Sequence, residues 1–327
     1  MTSSPIAQPF GSFNNRALCG FFNQTIESSF PTTTTFGMNI NFMAPNTTVK
    51  DEDGNIWNIT RYFDPNNATG ITFGTNKGGR KMYQQIPEVA QAYRGMVMNV
   101  RDDHSHTTVG IMQDPNLEPF SYRRQVDSMA WSEGKLLSLT GTTAAPALSW
   151  YMPTEQGGLM FTSYVSKVEG TVMGRRCEGF SEFATHWCAP GVSWLMEYSK
   201  VAMAWLIICN EYTDGSRDLC HVGFCLNDLR FALMASEQGP RLVTTDVEME
   251  VELDEGRYPK TLDWKIGDER WHWEGEPSGD MGDPARGIER GREGIARRVG
   301  DTRELKLAYG WVSFMGDSRI DPYIRSR

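Results

Sequence analysis

The stretch GFSEFATHWCAPG, residues 179–191, combines a carboxylate, an imidazole, an indole and a thiol in an alternating pattern. Alternation with a period of two is typical of a β-strand, whose successive side chains point to opposite faces. Glu182 and His186 would then share one face on either side of the small Ala184, which leaves room for a ligand. Trp187 would point to the opposite face. The stretch therefore predicts a strand that carries two titratable groups along one face.

Alternating segments recur along the whole chain of 327 residues and predict an all-β protein. Asp53-Gly54 and Asp214-Gly215 supply the positive φ angles that tight hairpin turns require. The two pairs lie about half a chain apart, and each precedes another alternating strand, which indicates two similar halves. We therefore predict two antiparallel β-barrels or sandwiches packed together, one over residues 1–155 and the other over residues 156–327.

Few segments favour helix or a membrane span. Residues 226–236 predict a helical turn or two, whereas the polar, Gly-interrupted residues 284–298 predict a loop. The apolar residues 192–209 contain Glu197 and Lys200, which argues against a bilayer span. The N-terminus lacks a basic segment followed by an apolar one, so no secretory signal is indicated. We expect a soluble, cytoplasmic protein.

The amino-acid composition indicates which kinds of molecule the protein binds. The formal net charge of −9 argues against nucleic acid and anionic membranes, because both select basic surfaces. Ten tryptophans, 17 methionines and 16 phenylalanines in a β-protein imply pockets with soft apolar walls, and therefore a hydrophobic small-molecule ligand. A homodimer is left open.

Known cofactor motifs find no support in the sequence. Six scattered cysteines without a CxxC pair predict reduced, buried thiols, with neither disulfides nor a zinc site. The sequence has no dinucleotide-binding GxGxxG, P-loop, HExxH or GxSxG motif. We expect no cofactor and no metal.

The longer run VEGTVMGRRCEGFSEFATHW, residues 168–187, resembles the lipocalin-like family of carotenoid 1,2-hydratases, AttH-like proteins, kievitone hydratase and fungal Diels–Alderases. In that family a V-x-G strand leads to a Gly-aromatic-x-acid-x-x-(His/Asn/Ser)-Trp element. The matching residues are Val168, Gly170, Gly179, Phe180, Glu182, His186 and Trp187. The resemblance implies two lipocalin-like barrels. Where the family often has glycine after the tryptophan, this chain has Cys188.

His186 and Glu182 are the candidate catalytic residues. An imidazole can give or take a proton near neutrality, and an apolar wall would raise the pKa of Glu182 so that it acts as an acid or orients the imidazole. The alternative is that His186 is a hydrogen-bonded core residue and Glu182 a strand-end cap or an ion-pair partner of Arg175 or Arg176.

Five further residues are candidates for contacting the substrate, and two histidines have no assigned role. Tyr198, Trp205 and Glu211 are expected on strands after the motif, where they would line a pocket or fill the core. Phe180 and Trp187 belong to the motif itself. His104 and His106 have a spacing that would place both on one strand face, although a polar loop accounts for them better than a metal site.

Two functional hypotheses follow. The first is a cofactor-independent hydratase or other lyase, isomerase or cyclase that acts by proton transfer on a terpenoid or polyketide-like substrate. The second is a non-catalytic lipocalin-like carrier or sensor of a hydrophobic metabolite. The carrier predicts a fully hydrogen-bonded His186 and a solvent-facing Glu182, whereas the enzyme predicts that both groups converge on the ligand.

Overall fold

The computed structural model describes residues 11–13, 18–25, 37–84, 86, 89, 94–102, 104–226, 230–281 and 289–325. Within these ranges the secondary structure is almost entirely antiparallel strand. The strands are β1 Gly11–Phe13, β2 Leu18–Phe22, β3 Asn39–Asp51, β4 Ile56–Phe63, β5 Asn67–Thr75, β6 Gly95–Arg101, β7 His106–Met112, β8 Phe120–Arg124, β9 Ser128–Glu133, β10 Leu137–Thr143, β11 Ala147–Met152, β12 Leu159–Val172, β13 Arg175–Cys188, β14 Ala202–Tyr212, β15 Arg217–Cys225, β16 Arg230–Ser236, β17 Gly239–Thr244, β18 Val247–Leu253, β19 Pro259–Ile266, β20 Glu269–Met281, β21 Glu289–Arg298 and β22 Leu305–Met315. The helical segments are α1 Trp194–Val201 and the 3-10 turns Lys77–Gly79 and Ser318–Tyr323.

One compact unit, formed by Phe22–Gly78 and Gln85–Glu197, contains a closed barrel of ten described strands. Strands β3 to β10 follow one another around the ring, and β12 pairs with β10. Strand β13 closes the ring because it pairs with both β12 and β3. Large apolar side chains fill the interior, among them Trp131, Tyr164 and Phe183, each at most 1% exposed. We call this unit the barrel unit.

The other compact unit, formed by Met1–Phe21, Gly79–Gln84 and Tyr198–Arg327, contains a curled sheet of nine described strands. Its order is β17-β16-β15-β14-β22-β21-β20-β19-β18. Its core includes buried aromatic side chains such as Trp264, Trp271 and Trp273. We call it the sheet unit. The all-β prediction is confirmed, with one closed barrel and one curled sheet.

The chain leaves the barrel unit between Glu197 and Tyr198, inside helix α1. Residues 155 and 156, the predicted boundary, both precede β12 within the barrel unit. Strands β12 and β13 belong with the strands before them because their pairings complete the ring. That closure joins segments distant in the sequence, which a change of local composition does not reveal.

Both predicted Asp-Gly turns occur. Gly54 connects β3 to β4 with φ of 80°, and Gly215 connects β14 to β15 with φ of 85°. All six cysteines are buried and carry reduced thiols. No helix within the described ranges is long and apolar enough to cross a bilayer.

Two local predictions were wrong. The predicted helical segment 226–236 contains strand β16, because Phe231 and Ala232 are both buried and so both faces of the segment are apolar. Residues 227–229 lie outside the described residues. The predicted loop 284–298 contains strand β21, whose Gly294 lies where a Cβ atom would be 2.3 Å from a neighbouring backbone oxygen. Residues 284–288 lie outside the described residues.

Candidate functional site

Strand β13 carries the two candidate catalytic residues on one face. Phe183 belongs to the core inside the barrel. Because side chains alternate along a strand, Glu182 and His186 lie on the face opposite to Phe183. Both are nevertheless buried, with 3% and 9% of their surface exposed. The outer face of this strand is therefore enclosed, and titratable groups on it are removed from water.

Glu182 is a buried carboxyl whose partner is a hydroxyl rather than a cation. Ser163 on β12 donates a hydrogen bond to its Oε1 over 2.5 Å. Burial raises the pKa of Glu182 to about 7, because the charged form loses its hydration, while the bond from Ser163 opposes the rise. The proposed ion pair with Arg175 does not form, since Arg175 binds Asp51 over 2.6 Å. Near neutrality Glu182 is thus divided between its acid and carboxylate forms.

His186 lies in a cage of aromatic rings. Phe42 stacks on the imidazole with ring centres 3.9 Å apart, and Trp194 at the start of α1 meets it edge-on at 4.6 Å. Phe161 on β12 makes a second edge-on contact at 5.2 Å. Burial lowers the pKa of His186 to about 3, against an opposing interaction with the backbone of Phe42. The imidazole is neutral at physiological pH.

The buried Nδ1 atom of His186 has no hydrogen-bond partner in the described part of the chain. Buried polar atoms are usually paired, since leaving one unpaired costs about 1–3 kcal/mol. The unpaired nitrogen leaves His186 able to bond a ligand or to take part in proton transfer. The ring is also bonded to the backbone of Phe42, as a hydrogen-bonded core histidine would be, so the catalytic and the core interpretation of His186 both stay predictions.

The carboxyl of Glu182 leans along the strand toward His186. In the pairing of β12 with β13, Val165 lies opposite Glu182, whereas Ser163 lies opposite Ala184. The hydrogen bond from Ser163 to Glu182 is therefore diagonal and draws the carboxyl over the small Ala184. The Cα atoms of Glu182 and His186 are separated by four residues, about 13 Å in a strand.

The other two motif residues take different positions on β13. Phe180 is wholly buried and, two residues before Glu182, shares its face. Trp187 packs instead with Met38 and Met160 in a separate small cluster. Of the two, Phe180 alone accompanies the titratable pair.

The remaining candidates belong to the sheet unit. Tyr198 is on helix α1, not on a strand as expected, because the apolar run begins with a turn of helix before β14. Trp205 meets His221 edge-on with ring centres 4.3 Å apart. Glu211 is 4% exposed and forms ion pairs with Arg217 and Lys306, so it is not solvated as a strand-end carboxylate would be.

His104 and His106 do not share a strand face. His104 is exposed in the turn before β7, where Asp102 accepts its backbone N–H. His106 begins β7 and is buried, 3.3 Å from the side-chain oxygen of Asn99. Among the described residues, no group of three or more His, Cys, Asp or Glu side chains is placed to hold a metal ion.

Sequence reasoning missed the residues that set the environment of the pair. Ser163, Phe42, Phe161 and Trp194 all contact Glu182 or His186. The first three lie on the two neighbouring strands, and no local motif marks them. The available signal was the alternation in LMFTSYVSK, which places Phe161 and Ser163 on one face once β12 is known to pair with β13.

No family model and no curated protein matches this chain. Solved structures that resemble it in fold include the following two crystal structures. One is of a candidate AttH protein from Nitrosomonas europaea, with 12% identity, coverage of 84% of this chain and 92% of that chain, and a TM-score of 0.45. The other is of kievitone hydratase from Nectria haematococca, with 10% identity, coverage of 94% and 98%, and a TM-score of 0.42. At these values the likeness describes the fold and says nothing about the reaction.

Proposed function

We propose that this protein is a cofactor-independent enzyme that transfers a proton to or from a hydrophobic substrate. The reaction class is a hydratase or other lyase, an isomerase or a cyclase, and the substrate is terpenoid or polyketide-like. One observation carries the proposal. A buried carboxyl with a pKa near 7 shares a strand face with a buried, neutral imidazole that has an unpaired nitrogen. A general acid works best when its pKa lies near the operating pH.

Glu182 is the proposed acid and His186 the proposed base. In a hydration, the Glu182 carboxyl gives its proton to one alkene carbon, and water forms the C–O bond at the other carbon. The proton released by that water passes to His186. Loss of the proton leaves a carboxylate on the same face, and a nearby negative charge raises the pKa of an imidazole. Burial otherwise holds the pKa of His186 at about 3. Proton donation by Glu182 therefore raises the pKa of His186 and allows the imidazole to accept the proton from water.

The surroundings of the pair favour an apolar substrate that develops positive charge. Phe42, Phe161 and Trp194 present rings around His186, and Phe180 shares the face of Glu182. Aromatic faces attract cations, which would stabilise a carbocation-like transition state. Phe180 is the proposed substrate contact nearest the acid. The charge of −9 supports the cytoplasm as the proposed setting over an anionic membrane surface.

A carrier is the second candidate, favoured by the close stacking of Phe42 on His186, which resembles core packing. The carrier hypothesis also required Glu182 to face solvent. Glu182 is buried instead, so this discriminating feature supports the enzyme.

The experiment compares the fate of a hydrophobic compound with wild-type and variant protein. The purified protein is examined by native mass spectrometry and extracted with organic solvent. The extract and a fixed panel of terpenoid and polyketide alkenes and alcohols are then incubated with wild type, Glu182→Gln and His186→Ala. Conversion by wild type and a large loss in both variants is expected, because each variant removes one partner of the proton transfer.

Matched controls separate chemistry from folding. Glu178→Gln changes an exposed carboxylate on the same strand, and His272→Gln changes an exposed imidazole. Both controls should convert as wild type does. If compounds bind wild type and return unchanged, the carrier hypothesis holds. If conversion survives in Glu182→Gln, a cyclase that acts by holding the substrate in a reactive conformation is favoured over proton transfer.

A further inference from the structure

Arg124 is a buried cation inside the barrel. It is not part of the proposed site of Glu182 and His186, which lies on the outer face of β13. It is the last residue of β8, whose preceding inward residues Phe120 and Tyr122 belong to the barrel core. Arg124 is 1% exposed, and its guanidinium carbon lies 4.0 Å from the centre of the Tyr164 ring. An arginine retains its charge even when buried, so this site holds a positive charge in an apolar interior.

The partners of Arg124 are neutral. Its Nη2 donates to the side-chain oxygen of Gln24 over 2.6 Å. Its Nε and Nη1 atoms are buried without a hydrogen-bond partner among the described residues. The phenol of Tyr122 also makes a side-chain hydrogen bond with the guanidinium. Buried charges are normally paired with an opposite charge, because the loss of hydration is otherwise uncompensated.

A second buried arginine in the same barrel is paired with a carboxylate, as buried cations usually are. Arg61 is wholly buried and donates through Nε and Nη2 to the two carboxylate oxygens of Glu133. The barrel thus supplies a carboxylate to one buried arginine and an amide to the other. Among the described residues, Arg124 therefore lacks the carboxylate partner that Arg61 has.

Gln24 occupies the place that such an anion would take. It follows β2, and its side-chain nitrogen donates to the backbone oxygen of Gln125 at the end of β8. Phe22, two residues earlier, packs edge-on against Tyr164 with ring centres 5.8 Å apart. The segment Phe22–Gln24 therefore covers the end of the barrel where Arg124 lies.

We propose that Arg124 binds the carboxylate of an apolar acid that enters this end of the barrel and displaces Gln24. The bonded Nη2 lies between two unpaired donors, so a carboxylate that replaces the amide oxygen can also bind Nε or Nη1. Such two-point pairing is the preferred geometry of arginine with carboxylates. The aromatic side chains around Arg124 suit an apolar tail. This site is independent of the proposed proton transfer at Glu182 and His186.

The test uses the full chain and a matched pair of probes, dodecanoate and dodecanol, in isothermal titration calorimetry at neutral pH. Wild type should prefer dodecanoate by roughly tenfold to a hundredfold, the range expected for a hydrogen bond to a charged group. Arg124→Met should abolish the preference. Arg123→Gln, an exposed neighbour, and Glu182→Gln should keep it. Equal affinity of wild type for the two probes, or a preference that survives Arg124→Met, overturns the proposal.

Gln24→Glu gives a second readout that does not depend on Arg124→Met folding well. A glutamate would place a carboxylate of the chain itself on Arg124. It should raise the urea midpoint and weaken dodecanoate binding, and it should not raise the midpoint in the Arg124→Met background. If Gln24→Glu changes neither stability nor dodecanoate affinity, Arg124 is not the anion site.

Discussion

Replacing Glu182 by glutamine should change how the stability of the protein depends on pH. Glutamine has the shape of a protonated glutamate, and its side-chain oxygen can still accept the hydrogen bond from Ser163. The carboxyl has a pKa of about 7 in the folded protein, against an ordinary value of 4.5. Between these values the unfolded chain has lost the proton while the folded protein keeps it. The contribution of Glu182 to wild-type stability therefore falls as pH rises through this window.

The expected size follows from the pKa difference. A shift of one pKa unit corresponds to about 1.4 kcal/mol, so the full effect is about 3 kcal/mol. About 2.5 kcal/mol of it falls between pH values of about 5 and 8. The Glu182→Gln variant has no carboxyl at this position and should not lose this stability as pH rises. The free energy of unfolding of the variant minus that of wild type should therefore rise by about 2.5 kcal/mol over the same pH interval.

The assay is equilibrium urea unfolding of both proteins at several pH values, followed by circular dichroism. Glu178→Gln, on the exposed part of the same strand, serves as the control and should run parallel to wild type. A stability difference between Glu182→Gln and wild type that stays constant with pH would falsify the claim that Glu182 is held protonated by burial. A difference that falls as pH rises would mean that the carboxylate form is the stabilised one.

Three further changes test neighbouring parts of the account. The folded-state pKa of His186 is about 3 against 6.5 ordinarily, so the His186 contribution to stability should fall as pH falls below about 6.5, opposite in sign to that of Glu182. The urea midpoint of His186→Gln relative to that of wild type should therefore rise as pH falls. Ser163→Ala removes a hydrogen bond that favours the carboxylate, and should move the pH window of the Glu182 effect upward in the same titration. Gly179→Ala would place a Cβ atom 2.2 Å from the backbone oxygen of Thr48, and should lower the free energy of unfolding by about 1–3 kcal/mol or more in urea. Unchanged midpoints for Gly179→Ala would show that the two strands separate without cost.

Local pattern was sufficient for the strands and turns and insufficient for the long-range pairings. The period-two segments and the two Asp-Gly pairs predicted strands and hairpins because both are properties of a few adjacent residues. The glycines of β21 led to the wrong prediction of a loop, because their role also depends on residues distant in the sequence. Gly294 allows a close approach of neighbouring strands, which only the assembled sheet reveals.

The sequence predicted which residues share a strand face at the site. It did not predict which side chains from other strands surround them. Alternation placed Glu182 and His186 together, and burial in an apolar wall correctly indicated a raised pKa for Glu182. The depressed pKa of His186 results from burial, and the rings of Phe42 and Trp194 that enclose the imidazole come from other segments. The buried Arg124, which has no anionic partner among the described residues, escaped notice because its sequence neighbour Arg123 is exposed and nothing local distinguishes the two.

The central claim is that Glu182 passes a proton to a carbon atom of the substrate. The most direct measurement incubates the converted compound with protein in deuterium oxide and locates deuterium in the product by mass spectrometry and NMR. We predict deuterium bound to carbon with wild type and with Glu178→Gln, and a large loss with Glu182→Gln. A product formed without carbon-bound deuterium, or equal incorporation with Glu182→Gln, would contradict proton transfer from Glu182.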